Sequence, residues 1–292
     1  MLFRSVGKAF ATSELALKSC KKLGIDHVIA TAWGDNGGEV SVFESLVVLQ
    51  IFGDFAWNDY VPSRTEVISR FSQTYGVDGR AFYDMRLFDE VPGVEKDNPH
   101  MVNPSKYILY SDPLMGTVDC HLFPLGDDLI DHYRDLAEYY DRRTNETEGM
   151  AKLFYLQSAQ LADVLARKVR LTLELRPMYL DDDYRGLRSL VDHDLPDLIA
   201  AVQDYQAFSL SIWYLYNKPE GSEVLDIRMG GLLARLKTCQ DRLDGYLNDS
   251  YDSLPELEAE RLPFDGRSLE EVEKQPHFRD NQWQNLATVN PL

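Results

Sequence analysis

The chain is poor in cysteine, and the few it has follow no pairing pattern. Cys20, Cys120 and Cys239 are odd in number, far apart and set in apolar helical contexts. They read as buried thiols of a reducing compartment, a cytoplasmic setting, with neither a disulfide framework nor zinc spacing. No run of about 18 apolar residues is present, so a membrane-spanning helix is not expected. The opening MLFRSVGKAF has no continuous apolar stretch followed by a small-residue cleavage site, and it does not read as a signal peptide. Positive charge is also scarce: 30 Lys and Arg stand against 48 Asp and Glu, a formal net charge of -18. The acids are spread over many segments, and such a surface repels phosphate, which makes nucleic acid and anionic membrane poor partners. P-loop, nucleophile-elbow and dinucleotide fingerprints are missing, as are internal repeats.

What remains is the balance of a soluble globular protein, with 44% hydrophobic and 27% charged residues over 292 positions. Thr12 to Leu23 has helical spacing in Leu15, Ala16, Cys20 and Leu23, with Gly24 as a stop. Ile25 to Trp33 is apolar with little alternation, the pattern of a parallel strand buried on both faces. The GDNGG turn follows, then Ser41 and Glu44 at capping-box spacing, and a helix running to about Trp57. Helix, buried strand, loop and helix together make one repeat of an α/β barrel or layered sheet.

From residue 60 the alternation stops. Pro62 and Ser63 open a helix with Glu66 at its third position and Val67, Phe71 and Tyr75 facing inward, closed by Gly76. Residues 77 to 125 are broken by prolines, with short helical pieces around Ala81 to Leu87 and Ser105 to Ser111. Long helical patterns then cover Asp127 to Glu146, Glu148 to Leu180, Asp182 to Tyr216 with a break at Pro196, and Glu223 to Leu247. A short helix is expected from Ser268 to Lys274. The expected fold is therefore mostly α: residues 1–60 as α/β structure and 61–292 as a helical bundle.

Trp33, Asp35, Asn36 and Glu39 are the first candidate site. An indole where a strand ends offers a flat face to the C–H side of a pyranose, and a nearby carboxylate accepts hydrogen bonds from ring hydroxyls. The alternative is that Trp33 closes a core while Asp35, Asn36 and Gly37 only form the turn. The other constellations have plainer readings. Asp181, Asp182 and Asp183 point in different directions and suit a helix cap better than a cation. Asp127 and Asp128 read the same way. Asp131 with His132, and Asp192 with His193 and Asp194, lack metal-site spacing and read as solvated or capping residues. Asp89 and Glu90 read as solvated loop. Arg228, in DIRMGG, suits an ion pair within the helical region, at an interdomain or dimer contact, with a ligand carboxylate as the other option. No metal or cofactor is implied.

Three segments carry a family resemblance. TAWGDNGGEVSVFESL, followed by an amphipathic helix to FAW, resembles the last barrel unit of glycoside hydrolase family 20, the exo-β-N-acetylhexosaminidases. NPSKYILYSDPLMG, from Asn103 to Gly116, and NKPEGSEVLDIRMGGLLARLKTC, from Asn217 to Cys239, resemble the helical C-terminal domain of one subgroup of that family. The resemblance implies that residues 1–60 are the C-terminal end of a (β/α)8 TIM barrel and that residues 61–292 are a helical C-terminal domain. It implies a pocket for a terminal N-acetylglucosamine or N-acetylgalactosamine, cleaved with substrate assistance by the acetamido oxygen. In it Trp33 would be the wall on which the sugar packs, and Asp35 would bind its outer hydroxyls.

One departure is large. The family's catalytic Asp-Glu pair lies on the fourth barrel strand in a His-x-Gly-x-Asp-Glu type of segment, and nothing in this chain matches it. The only Asp-Glu dipeptide is Asp89-Glu90, in a Pro-flanked loop. A complete barrel also takes roughly 250 residues, so the chain is expected to be cut inside its α/β domain and inactive alone. The competing expectation is a non-catalytic helical interaction or dimerisation module, self-associating as a homodimer through the apolar faces of its long helices.

Overall fold

The computed structural model describes residues 6–31 and 39–275. In chain order the helices are α1 (Val6–Leu23), a 3₁₀ turn (Val42–Ser45), α2 (Leu46–Trp57), α3 (Arg64–Tyr75), α4 (Gly79–Asp84), a 3₁₀ turn (Met85–Phe88), α5 (Pro104–Tyr110) and α6 (Asp119–Leu122). There follow α7 (Gly126–Glu146), α8 (Met150–Leu180), α9 (Tyr184–Ser189), a π turn (Leu190–Asp194), α10 (Leu195–Tyr216), α11 (Ser222–Leu247), α12 (Pro255–Glu258) and α13 (Leu269–Lys274). Among the described residues there is no strand.

The organising element is α8. Its 31 residues bury Phe154, Tyr155, Leu161, Leu165, Val169 and Leu175, and it packs against α5, α6, α7, α9, α10 and α12. A helix apolar on so much of its circumference has to be covered on several sides. The cover begins with α7, folded back through a three-residue turn in which Gly149 takes a φ of 72°, open to glycine without a Cβ penalty. Leu129, Tyr133, Leu136 and Tyr140 form the buried stripe of α7; α10 packs on α8 as well, and α11 packs on α10.

The N-terminal helices join the same core. Phe43, just before α2, lies with its ring centroid 6.0 Å from Phe154 of α8 and 5.1 Å from Tyr216 of α10. Phe82 of α4 connects Phe71 of α3 with Phe154 and Tyr155. The capping box expected at Ser63 forms: its hydroxyl accepts from the Glu66 amide while Glu66 accepts from the Ser63 amide. Ser268 and Glu271 make a second such box at α13.

Several expectations need correction. The stretch from Ile25 to Trp33 was expected as a buried parallel strand, but its described part, residues 25–31, has no regular structure, and Ile29 is 86% exposed. A strand buried on both faces needs neighbouring strands, and no described residue forms one. Helix α1 starts at Val6 and uses a different stripe: Val6, Phe10 and Leu17 are buried, whereas Leu15, Ala16 and Leu23 are exposed. Phe10 decides this, because its ring packs edge-on to Tyr83 and claims the inward face. Tyr75 is exposed, since α3 turns its Val67–Phe71 face to the core one turn earlier. Ser41 accepts from the Phe43 amide and opens the 3₁₀ turn, and Glu44 is buried, so the expected capping box does not form there. Of the three thiols only Cys239 is fully buried; Cys20 and Cys120 are half-buried, and all three are free.

Candidate functional site

Trp33, Asp35 and Asn36 lie outside the described residues, and Glu39, the fourth member of the candidate set, lies inside them. Glu39 is not a solvent-facing acid. It is buried, and side chains from four helices converge on it. Lys106 and Tyr110 stand four residues apart on α5 and so share one face. The Lys106 ammonium lies 2.9 Å from Glu39 Oε2, and the Tyr110 hydroxyl donates to Oε1 at 2.7 Å. Arg228 of α11 donates from Nη1 to the same Oε1 at 3.4 Å. The main chain is held as well: Gln157 of α8 and Tyr205 of α10 both donate to the Glu39 carbonyl, at 2.9 and 2.7 Å. Gln157 donates also to Ser209, which binds α8 and α10 at the same spot.

The electrostatics of this cluster define what it can do. Burial alone would raise the Glu39 carboxyl, but the charge of Lys106 and the hydrogen bonds from Lys106 and Tyr110 outweigh it and hold the group down at about 2. Burial pushes the Tyr110 phenol well up, and the Glu39 charge adds to the shift, so Tyr110 remains a donor. Burial likewise lowers Lys106, opposed by its pairing with Glu39. A carboxylate kept ionised at so low a pH, with both oxygens occupied by donors, has no proton to give at neutral pH. Glu39 is therefore an anchor and not a general acid.

A second cluster lies along the same helices. Asp112, just after α5, accepts from the amides of Leu114 and Met115 and pairs with Arg235 of α11. Lys168 of α8 is buried beside it, with Nζ 2.5 Å from the Ser111 carbonyl oxygen. The segment after α11 closes over this region. Arg261 binds Asp119 at 2.9 Å and the Leu114 carbonyl at 2.8 Å, and Phe264 stacks on Tyr107.

The remaining candidates resolve individually. Asp89 is buried and accepts from the Ser105 amide and hydroxyl, at 3.2 and 2.6 Å, and so serves the first turn of α5. Glu90 pairs with Arg86 at 2.7 Å, and burial raises its pKa. Neither is the solvated loop residue expected, because the 3₁₀ turn before them carries both inward. His132 is not solvated either: its Nε2 lies 2.8 Å from the Leu87 carbonyl oxygen, and burial lowers its pKa. Asp131 does stay at the surface, with Arg134. Asp183 caps α9 through the Gly186 amide, as expected of the Asp181–Asp183 run. Arg228 forms its ion pair, but with Glu39; the nearer Asp226 receives Gln206. Among the described residues no group of three or more His, Cys, Asp and Glu is placed to hold a metal ion, and no helix is long and apolar enough to cross a membrane.

Sequence reasoning selected Glu39 and Arg228 separately and missed Lys106, Tyr110, Gln157 and Tyr205. The signal that was available is the i, i+4 pair Lys106 and Tyr110 inside NPSKYILY. The two segments that carried the resemblance to a helical domain meet in space at both clusters: Lys106 and Tyr110 face Arg228 across Glu39, and Asp112 pairs with Arg235.

The fold and these clusters define a helical domain whose interior polar groups hold Glu39, the residue that follows the Gly-rich segment of the sequence. The family model for the glycoside hydrolase 20C C-terminal domain matches residues 80–276, more than half of the chain, and the chain belongs to that family. No curated protein matches the chain.

Proposed function

We propose that this chain contributes one wall of the sugar pocket of a family 20 glycoside hydrolase that releases terminal N-acetyl-β-D-hexosamine. The reaction is substrate-assisted and retaining: the acetamido oxygen attacks the anomeric carbon while a carboxylic acid protonates the leaving oxygen. Trp33 is the platform for the pyranose, and Asp35 binds its outer hydroxyls. Residues 1–60 are the closing part of a (β/α)8 barrel and residues 61–292 its helical companion domain. The working setting is cytoplasmic, the partner is a glycan end, and neither nucleic acid nor a membrane takes part.

The observation that carries this reading is that Glu39, the last residue of the TAWGDNGGE segment, is bound by α5, α8, α10 and α11, all four inside the matched family domain. Exposed apolar side chains in the first 60 residues support the barrel assignment. Leu15, Leu23, Ile25, Ile29 and Trp57 form surface that neighbouring βα units would cover. The general acid has no recognisable segment in this sequence, and Asp89 and Glu90 are engaged in structural bonds, so we propose that this chain alone does not turn over substrate.

Titration of the chain with N-acetylglucosamine, followed by indole fluorescence, tests the sugar wall. A saturable change is expected, lost in Trp33→Ala and weakened in Asp35→Asn; a change that survives Trp33→Ala refutes it. Turnover of an aryl N-acetyl-β-hexosaminide that is abolished by changing a carboxylate of this chain would overturn the statement about the acid.

A further inference from the structure

Where α8 ends and α9 begins, three tyrosines pile outward from the core. Tyr179, near the end of α8, is 6% exposed; its hydroxyl accepts from the Leu254 amide and donates to Glu258, both at 2.9 Å. Its ring centroid lies 5.1 Å from that of Tyr246 on α11. Tyr246 in turn stacks on Tyr184 of α9, with centroids 6.0 Å apart and planes 17° from parallel. Tyr184 ends the pile and keeps 54% of its surface in solvent. Holding α9 on α11 does not require that ring, because Arg188 of α9 already donates to Asp244 at 2.8 Å and to Asn248 Oδ1 at 3.2 Å.

A lone surface tyrosine samples several rotamers, whereas this one is preset. Its hydroxyl lies 3.4 Å from Asp182 Oδ1 and 3.5 Å from the Tyr246 hydroxyl, contacts too long to carry much energy, so the stack sets the orientation of the ring. A flat ring held from beneath has little freedom left to lose when something lies on it. The groups around it are polar. Arg188 stands four residues after Tyr184 and shares its helix face, and with Arg188 come Asp244 and Asn248, whose amide donates to Asp244 at 3.0 Å.

We infer that Tyr184 is the platform of a separate carbohydrate-binding site on the helical domain, which takes one pyranose unit of a neutral glycan. The C–H face of the sugar lies on the ring, and its hydroxyls meet Asp182, Asn248 and Arg188 at the edge. The charge of the surroundings selects this ligand class. Asp181, Asp182, Asp183, Asp244 and Asp249 make this corner negative, which repels nucleotides and anionic lipids although both could use an aromatic face. A protein partner would have to strip water from the same carboxylates without an apolar surface to offset the cost. A polyhydroxylated neutral ring needs both the stacking face and the polar edge. The site lies wholly on α9, α11 and the residues between α8 and α9, so it stands or falls independently of the sugar-wall reading. Its consequence is that the chain would be held on a polymeric or clustered glycan, at high local concentration of further sugar ends.

The test runs the full chain in native gels that contain a soluble neutral polysaccharide, with hydroxyethyl cellulose, glycol chitin and galactomannan as the three probes, beside a plain gel. The parent is expected to be retarded in at least one of them. In Tyr184→Ala, which alters no charge and so leaves mobility in the plain gel unchanged, the dissociation constant read from the retardation is expected to rise about fivefold or more. A parent that runs unretarded in all three gels overturns the inference, as does retardation that survives Tyr184→Ala. A second measurement needs no variant and serves if Tyr184→Ala fails to fold. Hydroxyl-radical oxidation of the parent is followed by mass spectrometry with and without the N-acetylglucosamine pentamer and cellopentaose. Tyr184 is expected to lose reactivity with one of these sugars, while Tyr60 and Tyr75, exposed to nearly the same degree at 50% and 51%, keep theirs. Equal protection of the three tyrosines, or none at Tyr184, overturns the inference.

Discussion

Lys168 places an ammonium in the middle of the longest helix, fully buried, and its removal gives a prediction with a definite sign. Burial lowers its pKa from 10.5 to about 8, with the charges of Asp112, Cys239 and Asp119 opposing the shift. In the unfolded chain the group keeps its proton to about 10.5, so between about 8 and 10.5 the unfolded state binds more protons than the folded one. Stability then rises with pH across this window, and the group is most unfavourable to the fold below it. The displacement from 10.5 to about 8 corresponds to about 3 kcal/mol.

Lys168→Met removes that term and keeps an unbranched side chain in the same space. It also deprives the Ser111 carbonyl of its ammonium partner, at a cost of about 1–3 kcal/mol. The two effects nearly cancel at pH 7, where the variant should be as stable as the parent or slightly more so. At pH 10.5 only the loss remains. Urea denaturation of both proteins at pH 7 and pH 10.5 gives the double difference, in which other titrating groups cancel, and about 3 kcal/mol is expected. A stability difference that is the same at both pH values to within about 0.5 kcal/mol would show that Lys168 does not titrate abnormally in the fold, and the reasoning fails.

Three further outcomes are expected. Arg235→Met leaves the buried Asp112 without its ion-pair partner and should cost about 3 kcal/mol in chemical denaturation, more than Asp112→Asn with Arg235→Met together. Gly79→Ala would place a Cβ 2.6 Å from the Ile68 carbonyl oxygen, against backbone that cannot swing aside; a loss of about 1–3 kcal/mol should appear as a lowered Tm. Ser63→Ala breaks a complete capping box at the start of α3 and should cost about 1 kcal/mol, measurable by urea titration, while Ser45→Ala, whose side chain makes no cap bond, should cost less.

The helical half was legible because its signals are local. The ends of α7, α8 and α11 fall within two residues of the positions set by periodicity and turns, the capping box at Ser63 stands where its spacing puts it, and the short helix expected from Ser268 to Lys274 forms. The stretch from Ile25 onward was not legible in the same way, because a parallel strand is stabilised by neighbours that sequence pattern does not supply. The wrong stripe of α1 has a related cause: two apolar faces compete on that helix, and partners distant in sequence, such as Arg64 and Tyr83 around Phe10, decide between them. The Glu39 cluster spans α5, α8, α10 and α11, so no window of sequence contains it. Charged residues such as Asp89 and Lys168, normally assigned to the surface, are held inside by partners remote in sequence.

The π turn between α9 and α10 acts on the cluster from a distance. Leu187, Val191 and Leu195 are buried at two successive steps of four residues, which on a regular helix would carry the third side chain well past the first. The wider turn, closed by the Leu195 amide on the Leu190 carbonyl, absorbs that excess and lies directly before Pro196, which has no amide to continue the ladder. One residue inserted or removed there changes the azimuth of everything after it by about 100°. Tyr205 and Ser209 lie downstream, so the hydroxyl that reaches the Glu39 carbonyl owes its heading to a phase correction made before α10 begins. A deletion at His193 would preserve every side chain of the Glu39 cluster and still turn Tyr205 away from it.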